Sequence, residues 1–178
     1  VPTNIWKSED AGTTDKATTE LESLIGRGVF PFPKPAQLVQ KAISYIINKE
    51  EDKDCIVLDF FAGSGTTGHA VMNQNIKDGG HRKFILVQIP QLTDENSNAR
   101  RAGYKTISEI TIARNKAVVE RYQKESEGKI LDEEYKQQLK QLGFKVFTLS
   151  KSSFPRTDFA PDPTKNEEEN LALFHDYI

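Results

Sequence analysis

The sequence predicts an α/β fold, a parallel sheet flanked by helices, and three observations carry that expectation. Two short apolar runs rich in β-branched residues, CIVLDFF and KFILVQIP, stand about 25 residues apart. A glycine turn, AGSG, separates the first run from a stretch of helical character. Long amphipathic helical patterns lie on either side of this unit. Continuous apolar runs of this length are how strands buried on both faces read. Strand, glycine turn, helix, strand is a βαβ unit, whose strands are parallel and joined by a right-handed crossover.

The elements follow in order along the chain. Residues 1–28 are a polar, Thr-rich lead-in, within which 14–24 read as a short helix capped by Thr14 and stopped by Gly26. The run VFPFPKP places Pro31, Pro33 and Pro35 within five residues, so it is expected to be extended. Pro35 suits the first turn of the helix that follows. That helix spans 36–48, with Leu38, Val39, Ala42, Ile43, Ile46 and Ile47 at helical spacing. A charged turn, KEEDKD, leads to the first strand at 55–60, then to a helix over 66–76. KDGGHR turns the chain into a second strand at 83–89. Polar text continues from Pro90 to Gly103. A long helix follows over 107–122, with Ile107, Ile110, Ala113, Ala117, Val118 and Tyr122 largely on one side. Residues 131–142 form another helix ended by Gly143, and FKVFTL at 144–149 reads as a third strand. The tail KSSFPRTDFAPDPTKNEEEN reads as loop, before a terminal helix over 170–178. There are no internal repeats. The organisation is a lead-in at 1–28, an α/β domain at 29–154 and a loop-rich tail at 155–178.

Composition narrows the function. At 178 residues the chain holds one domain with a modest core. No apolar run is long enough to span a bilayer. The start, VPTNIWKSED, has neither a basic nor an apolar leader segment, so the expected location is cytoplasmic. A first residue of Val rather than Met suggests a piece cut from a longer chain. A single cysteine, Cys55, excludes a disulfide scaffold and a cysteine-based zinc site. His69, His81 and His175 lack metal-ligand spacing. With 24 Lys and Arg against 26 Asp and Glu, the net charge of −2 gives no electrostatic footprint for nucleic acid. Any grip on DNA phosphates is therefore expected outside this chain.

The chemistry concentrates in Leu58-Asp59-Phe60-Phe61-Ala62-Gly63-Ser64-Gly65-Thr66-Thr67. Gly63 and Gly65 allow a ligand close to the backbone. Ser64, Thr66 and Thr67 place hydroxyls and amides at a helix N-terminus, where partial positive charge favours an anion. A phosphate-binding P-loop needs a lysine after its last glycine, and Thr66 stands there instead. Gly63, Gly65 and Gly68 satisfy the dinucleotide pattern G-x-G-x-x-G literally. A loop for a methyl-donor nucleoside uses the same strand-to-helix turn. A plain connecting turn is the structural alternative.

The neighbouring residues favour the methyl donor. D-F-F-A-G-S-G-T-T resembles the S-adenosylmethionine-binding loop F-x-G-x-G of amino-methylating DNA methyltransferases. F-P-F-P-K-P-A-Q-L-V-Q-K-A-I resembles the Pro-rich segment that precedes this loop in the permuted subgroup, whose catalytic region comes before its cofactor region. K-F-I-L-V-Q-I-P and G-F-K-V-F-T-L-S-K-S-S-F are similar to stretches of the modification subunit of type III restriction-modification systems. The resemblance continues more weakly through T-N-I-W and the helix at 14–24, and it ends near Phe154.

The resemblance implies a Rossmann-like S-adenosylmethionine-dependent methyltransferase fold, here partial, and a DNA adenine N6-methyltransferase reaction. It implies that Gly63 and Gly65 make room for the methionine part of S-adenosylmethionine, and that Thr66 and Ser64 bind its carboxylate. Asp59 faces the amino group, and Phe61 packs on the cofactor. Lys34 and Pro35 close the other side, with Lys34 pairing with the carboxylate. Phe32, Phe60, Ala62, Thr67 and Gln88 complete the implied cofactor site. One of Phe60 and Phe61 is expected to be core. Where the family often has an acidic residue for the ribose hydroxyls, this sequence has Gln88, a weaker acceptor. The family's catalytic Asp/Asn-Pro-Pro-Tyr/Phe motif, which holds a flipped adenine, has no match. Asp162-Pro163-Thr164 has one proline after its Asp and no aromatic after that. In the permuted subgroup the motif would precede Val1, so the expected chain is the cofactor-binding portion, inactive alone.

Its expected partners are the upstream catalytic half, DNA gripped by other parts of the enzyme, and a restriction subunit. A three-stranded parallel core from 55–60, 83–89 and 144–149 would put 59–66 and Gln88 on one rim beside Lys34. So small a sheet leaves an open edge and favours self-association. Two alternatives stand beside this reading: a non-catalytic nucleotide-binding or interaction module of the same fold, and a fragment of an NAD-type oxidoreductase that rests on the glycine match alone.

Overall fold

The computed structural model describes residues 5–46, 53–151 and 160–177. The chain divides into two compact units, residues 1–145 and 146–178.

Capping chemistry sets many of the boundaries in the first unit. After one turn, α1 (Ser8–Ala11), the chain enters α2 (Thr14–Ile25). Its cap is Thr13, whose hydroxyl accepts from the Lys16 N–H at 3.2 Å, and Gly26 ends it at φ 102°. The Pro-rich segment, expected to be extended, instead bends over 29–32 with Phe32 at φ 51°; Pro33 is fully buried, and α3 (Ala36–Ile46) follows. The last two residues of the expected helix lie outside the described residues. Two parallel strands form the sheet, β1 (Ile56–Asp59) and β2 (Lys83–Leu86), in the register Ile56 to Lys83 and Asp59 to Leu86. Between them runs α4 (Thr66–Asp78), started and stopped by left-handed glycines, Gly65 and Gly79. This is the expected βαβ unit.

The polar stretch after Pro90 is folded back on itself. Thr93 N–H donates to Lys105 O at 3.0 Å and Thr93 Oγ1 donates to Tyr104 O at 2.7 Å. Within it lies a short helix absent from the sequence reading, α5 (Asn98–Arg101), capped by Ser97. The long helix α6 (Ile107–Ser126) opens with a reciprocal capping box between Thr106 and Glu109, and α7 (Glu133–Gln141) is capped by Asp132.

Helix α3 packs on α4, α4 on both strands and on α6, and α2 on α6. One apolar cluster joins Ala36, Ile43, Ala70 and Val71 with Val57 and Phe84 of the strands. Burying side chains the size of Ile43 or Val71 contributes roughly 1.5–3 kcal/mol each. A second cluster joins Val29, Ala99 and Ile110 with Phe30 and Tyr104.

Two expectations about the sheet are corrected. Residues 144–149 form no strand; Val146, Phe147 and Leu149 are exposed, and among the described residues no strand edge receives them. An apolar run becomes a strand only where a neighbour offers backbone partners. The strands are also not buried on both faces. Side chains alternate across a strand, so Val57 and Phe84 meet α3 and α4, while Ile56 (60% exposed), Leu58 (48%) and Ile85 (49%) stand uncovered.

The second unit contains α8 (Glu167–Tyr177). Asn166 caps it, accepting from Glu169 N–H at 2.9 Å while Glu169 Oε2 accepts from Asn166 N–H at 3.0 Å.

Candidate functional site

The site grows from the end of β1. Asp59 is held by two local donors: Thr67 Oγ1 donates to Oδ2 at 2.5 Å, and Phe61 N–H donates to Oδ1 at 2.9 Å. The loop then turns at Gly63 (φ 53°) and Gly65 (φ 82°) to start α4. Gln88, two residues beyond β2, accepts from Gly63 N–H through Oε1 at 2.7 Å and donates from Nε2 to Ile89 O at 3.0 Å. From the Pro-rich segment, Lys34 O accepts from Thr66 Oγ1 at 3.3 Å. Asp59, the glycine loop, Gln88 and Lys34 are therefore brought together at the carboxyl ends of parallel strands, where α/β sheets place ligands.

The individual residues show how that rim is made. Lys34 is exposed, Pro35 is half-buried, and Ala62, Ser64, Gly65 and Thr66 are buried. Phe32 is 80% exposed and is the sole described non-glycine residue at positive φ, 51°. Both Phe60 (63% exposed) and Phe61 (87%) face outward, so the expectation that one of them is core is corrected. They lie past the end of the two-stranded sheet, where no helix covers them. The N–H groups of Ser64, Thr66, Thr67 and Gly68 meet no acceptor among the described residues, and no side chain caps α4. Open N–H groups at a helix start attract an anion.

The glycines have reasons the sequence did not show. A Cβ at Gly65 would stand 2.4 Å from Asn115 Nδ2 and 2.9 Å from Thr111 O. One at Gly68 would stand 2.2 Å from Asn115 Oδ1. At both glycines the missing side chain lets α6 approach the loop. Gly63 alone has room, its nearest neighbour being Phe30 Cζ at 3.6 Å.

Helix α6 grips the loop from behind with three side chains on one face. Thr111 Oγ1 donates to Gly63 O at 2.6 Å, and Asn115 Nδ2 donates to Gly65 O at 3.3 Å. Between them Arg114, fully buried, donates from Nη1 to Thr66 Oγ1 at 2.7 Å and to Ser64 Oγ at 3.1 Å. Its Nη2 donates to Glu20 Oε2 at 3.0 Å. Burial lowers the Arg114 pKa to about 10 against the pull of Glu20, so the group stays charged at neutral pH. His69 is also fully buried, with Arg114 Nη2 3.1 Å from its Nδ1 and Arg121 Nη2 3.1 Å from its Nε2. Sequence reasoning missed this cluster. A signal existed, because Arg114 falls in step with Ile110 and Val118 on a buried stripe, a place for a charge only if it is paired.

Burial first, then the charges of Arg114 and Arg121, hold the His69 pKa well below its usual 6.5. The folded state thus refuses a proton that the unfolded chain accepts below that value. By linkage, stability falls as pH drops from 6.5 and is unaffected by His69 above it. The thermal midpoint should decline between pH 7 and 5.5, and His69→Gln should flatten that decline. A midpoint that stays level or rises on acidification contradicts the assignment.

Among the described residues no His, Cys, Asp and Glu group is arranged to hold a metal ion, and no helix is long and apolar enough to cross a membrane.

A βαβ unit with a glycine turn between its first strand and its helix defines an α/β protein with a parallel sheet flanked by helices. The model of the DNA methylase family matches residues 1–141, and the chain belongs to that family. It is 48% identical over 109 residues, 61% of this chain, to the StyLTI Mod subunit, a type III restriction-modification enzyme of Salmonella typhimurium. It is 44% identical over 110 residues, 62% of this chain, to the EcoPI Mod subunit of Escherichia phage P1. The type II methyltransferase M.KpnI of Klebsiella pneumoniae is 38% identical over 110 residues, again 62% of this chain. The matched stretch is 16% of each Mod subunit and 25% of M.KpnI.

Proposed function

We propose that this chain is the S-adenosylmethionine-holding part of a site-specific DNA methyltransferase of restriction-modification type, acting on adenine N6. The observation that carries the reading is the double tether of the glycine loop, to Gln88 and to Lys34, at the carboxyl ends of the strands. Family membership supports it. The residues present fit a zwitterionic ligand. Asp59 offers a carboxylate to an ammonium. The open N–H groups at the start of α4 and the exposed Lys34 suit a carboxylate. Phe32 and Phe61 offer exposed rings to an apolar or sulfonium portion. When bound, S-adenosylmethionine supplies a methyl group on an electrophilic sulfonium. The chain's own work is to orient the donor. Gln88 fixes the loop through Gly63 and keeps a second amide N–H and a second lone pair for a ligand hydroxyl.

No Pro-Pro dipeptide occurs in the sequence. We therefore assign adenine binding, DNA contacts and methyl transfer to further parts of the enzyme, with a restriction subunit as partner. The test is calorimetric titration of the chain with S-adenosylmethionine and with NAD. Binding of the first alone, weakened about tenfold or more by Asp59→Asn, is the expected result. Preference for NAD, or affinity indifferent to Asp59→Asn, overturns the reading.

The uncovered strand face supports the same division of labour. Ile56, Leu58 and Ile85 lie on one side of two strands that a longer enzyme would extend and cover, so we propose that the catalytic half packs there. Alone, the chain should self-associate through this face. Sedimentation velocity should show mass rising with concentration, and Leu58→Lys with Ile85→Lys should return it to monomer. A parent chain monomeric at high concentration removes this prediction.

A further inference from the structure

We propose that Arg114 is a positioning residue that fixes the glycine loop against the Pro-rich segment, and thereby selects a ligand bearing an amino-acid carboxylate. It rests on the reading that the loop holds S-adenosylmethionine.

Thr66 has one hydroxyl proton, and its acceptor is Lys34 O at 3.3 Å. A lone pair of the same oxygen receives Arg114 Nη1 at 2.7 Å, and Ser64 Oγ receives it at 3.1 Å. Thr66 is buried, with 6% of its surface exposed, and Ser64 with 3%. The two hydroxyl oxygens also stand 3.4 Å apart, within reach of the Ser64 proton. They form a strut: Arg114 fixes Thr66, and Thr66 fixes the backbone at Lys34. Arg114 is fixed in turn by Glu20 of α2, so α2, α6, the loop and the Pro-rich segment meet at one guanidinium. A planar fork with five donors can serve Ser64, Thr66, Glu20 and His69 at once, as a lysine cannot. The ligand group nearest these segments is the carboxylate, held between the open N–H groups of α4 and the exposed Lys34. Loosening the strut weakens that grip and leaves the adenosine end of the site untouched.

Two related ligands separate positioning from general damage. S-adenosylhomocysteine carries the amino-acid end; methylthioadenosine has the same adenosine thioether without it. Both are titrated calorimetrically into the full chain and into Thr66→Val, Thr66→Ser, Arg114→Lys and the Thr66→Val/Arg114→Lys double variant. Thr66→Val and Arg114→Lys should each weaken S-adenosylhomocysteine about tenfold, one lost charge-assisted bond, and methylthioadenosine less than about twofold. Thr66→Ser keeps the hydroxyl and should restore binding to within about threefold of the parent. The double variant should be no worse than the poorer single one, because both break one strut. Equal losses for both ligands, or no loss for either, overturn the proposal while leaving the cofactor reading standing. If Arg114→Lys fails to fold, Thr66→Val decides alone. A parent chain that binds neither ligand overturns the cofactor reading and this proposal with it.

Discussion

Gly65→Val should cost the chain a large share of its stability. The added Cβ meets Asn115 Nδ2 at 2.4 Å and the Thr111 carbonyl at 2.9 Å, a backbone atom of a long helix that has no easy way to yield. Overpacking of this kind costs about 1–3 kcal/mol. The φ of 82° adds about 1–3 kcal/mol more, because a β-branched residue is strained in the left-handed region. Against a total stability of roughly 5–15 kcal/mol, the sum is a large share. The thermal midpoint should fall by about 10 °C or more. Gly63→Ala is the control. Its φ of 53° is also left-handed, but its nearest neighbour is 3.6 Å away, so only strain of about 1–2 kcal/mol applies. That variant should melt a few degrees lower and stay folded, which makes it the substitution with which to ask about ligand space. If Gly65→Val melts within a few degrees of the parent and loses only binding, the space beyond Gly65 is open cleft and the packing account fails.

That contrast shows what the sequence made legible. Local rules identified the βαβ unit, because the apolar runs, the glycine turn and the helical periodicity each fit one element. Gly26 and the Pro-rich run were readable as punctuation for the same reason. The bounds of α6 were short by four residues, since no breaker stands between Tyr122 and Ser126. The third strand failed because pairing is a non-local property: FKVFTL has strand composition and no edge to join among the described residues. The strand faces failed for a related reason. A run such as CIVLDFF looks doubly buried whether its second cover is present or supplied by other segments.

In the site, the residues near one another in sequence were found, and those contributed by distant elements were not. Asp59, Gly63 and Thr66 lie within eight positions and announce themselves. Arg114 reaches Thr66 across 48 positions and Glu20 across 94, so only the packing of α6 brings them together. A second demand on Gly65 was hidden on the same ground, since the atoms that need its missing side chain belong to that helix. Gln88 was sought as a ligand contact, and its hold on the loop through Gly63 was not visible in the sequence. Distance in sequence hid the supports, and the supports determine what the loop can do.

Arg114→Leu follows from those supports and should be the most damaging change to any side chain at the site. Removing the guanidinium leaves Ser64, Thr66 and His69 without the donor they share, in a place where water has little access. It also leaves Glu20 without its partner, although Glu20 is 29% exposed and solvent offsets part of that loss. Breaking a buried charge pair costs roughly 3–5 kcal/mol, and the partial exposure of Glu20 puts this case near the lower end, about 3 kcal/mol. Arg121→Leu is the matched comparison. Arg121 also contacts His69, but its side chain is 32% exposed and its pairing with Glu125 is loose at 3.9 Å, so about 1 kcal/mol or less is expected. Urea unfolding of the two variants measures the difference directly. Arg114→Leu carries a second signature. With one of its two cationic neighbours gone, His69 should take up a proton more readily, so the loss of stability below pH 6.5 should shrink relative to the parent. An Arg114→Leu chain within 1 kcal/mol of the parent, with an unchanged acid profile, would mean that the network decorates the fold and that Thr111, Asn115, Gln88 and Asp59 hold the loop without it.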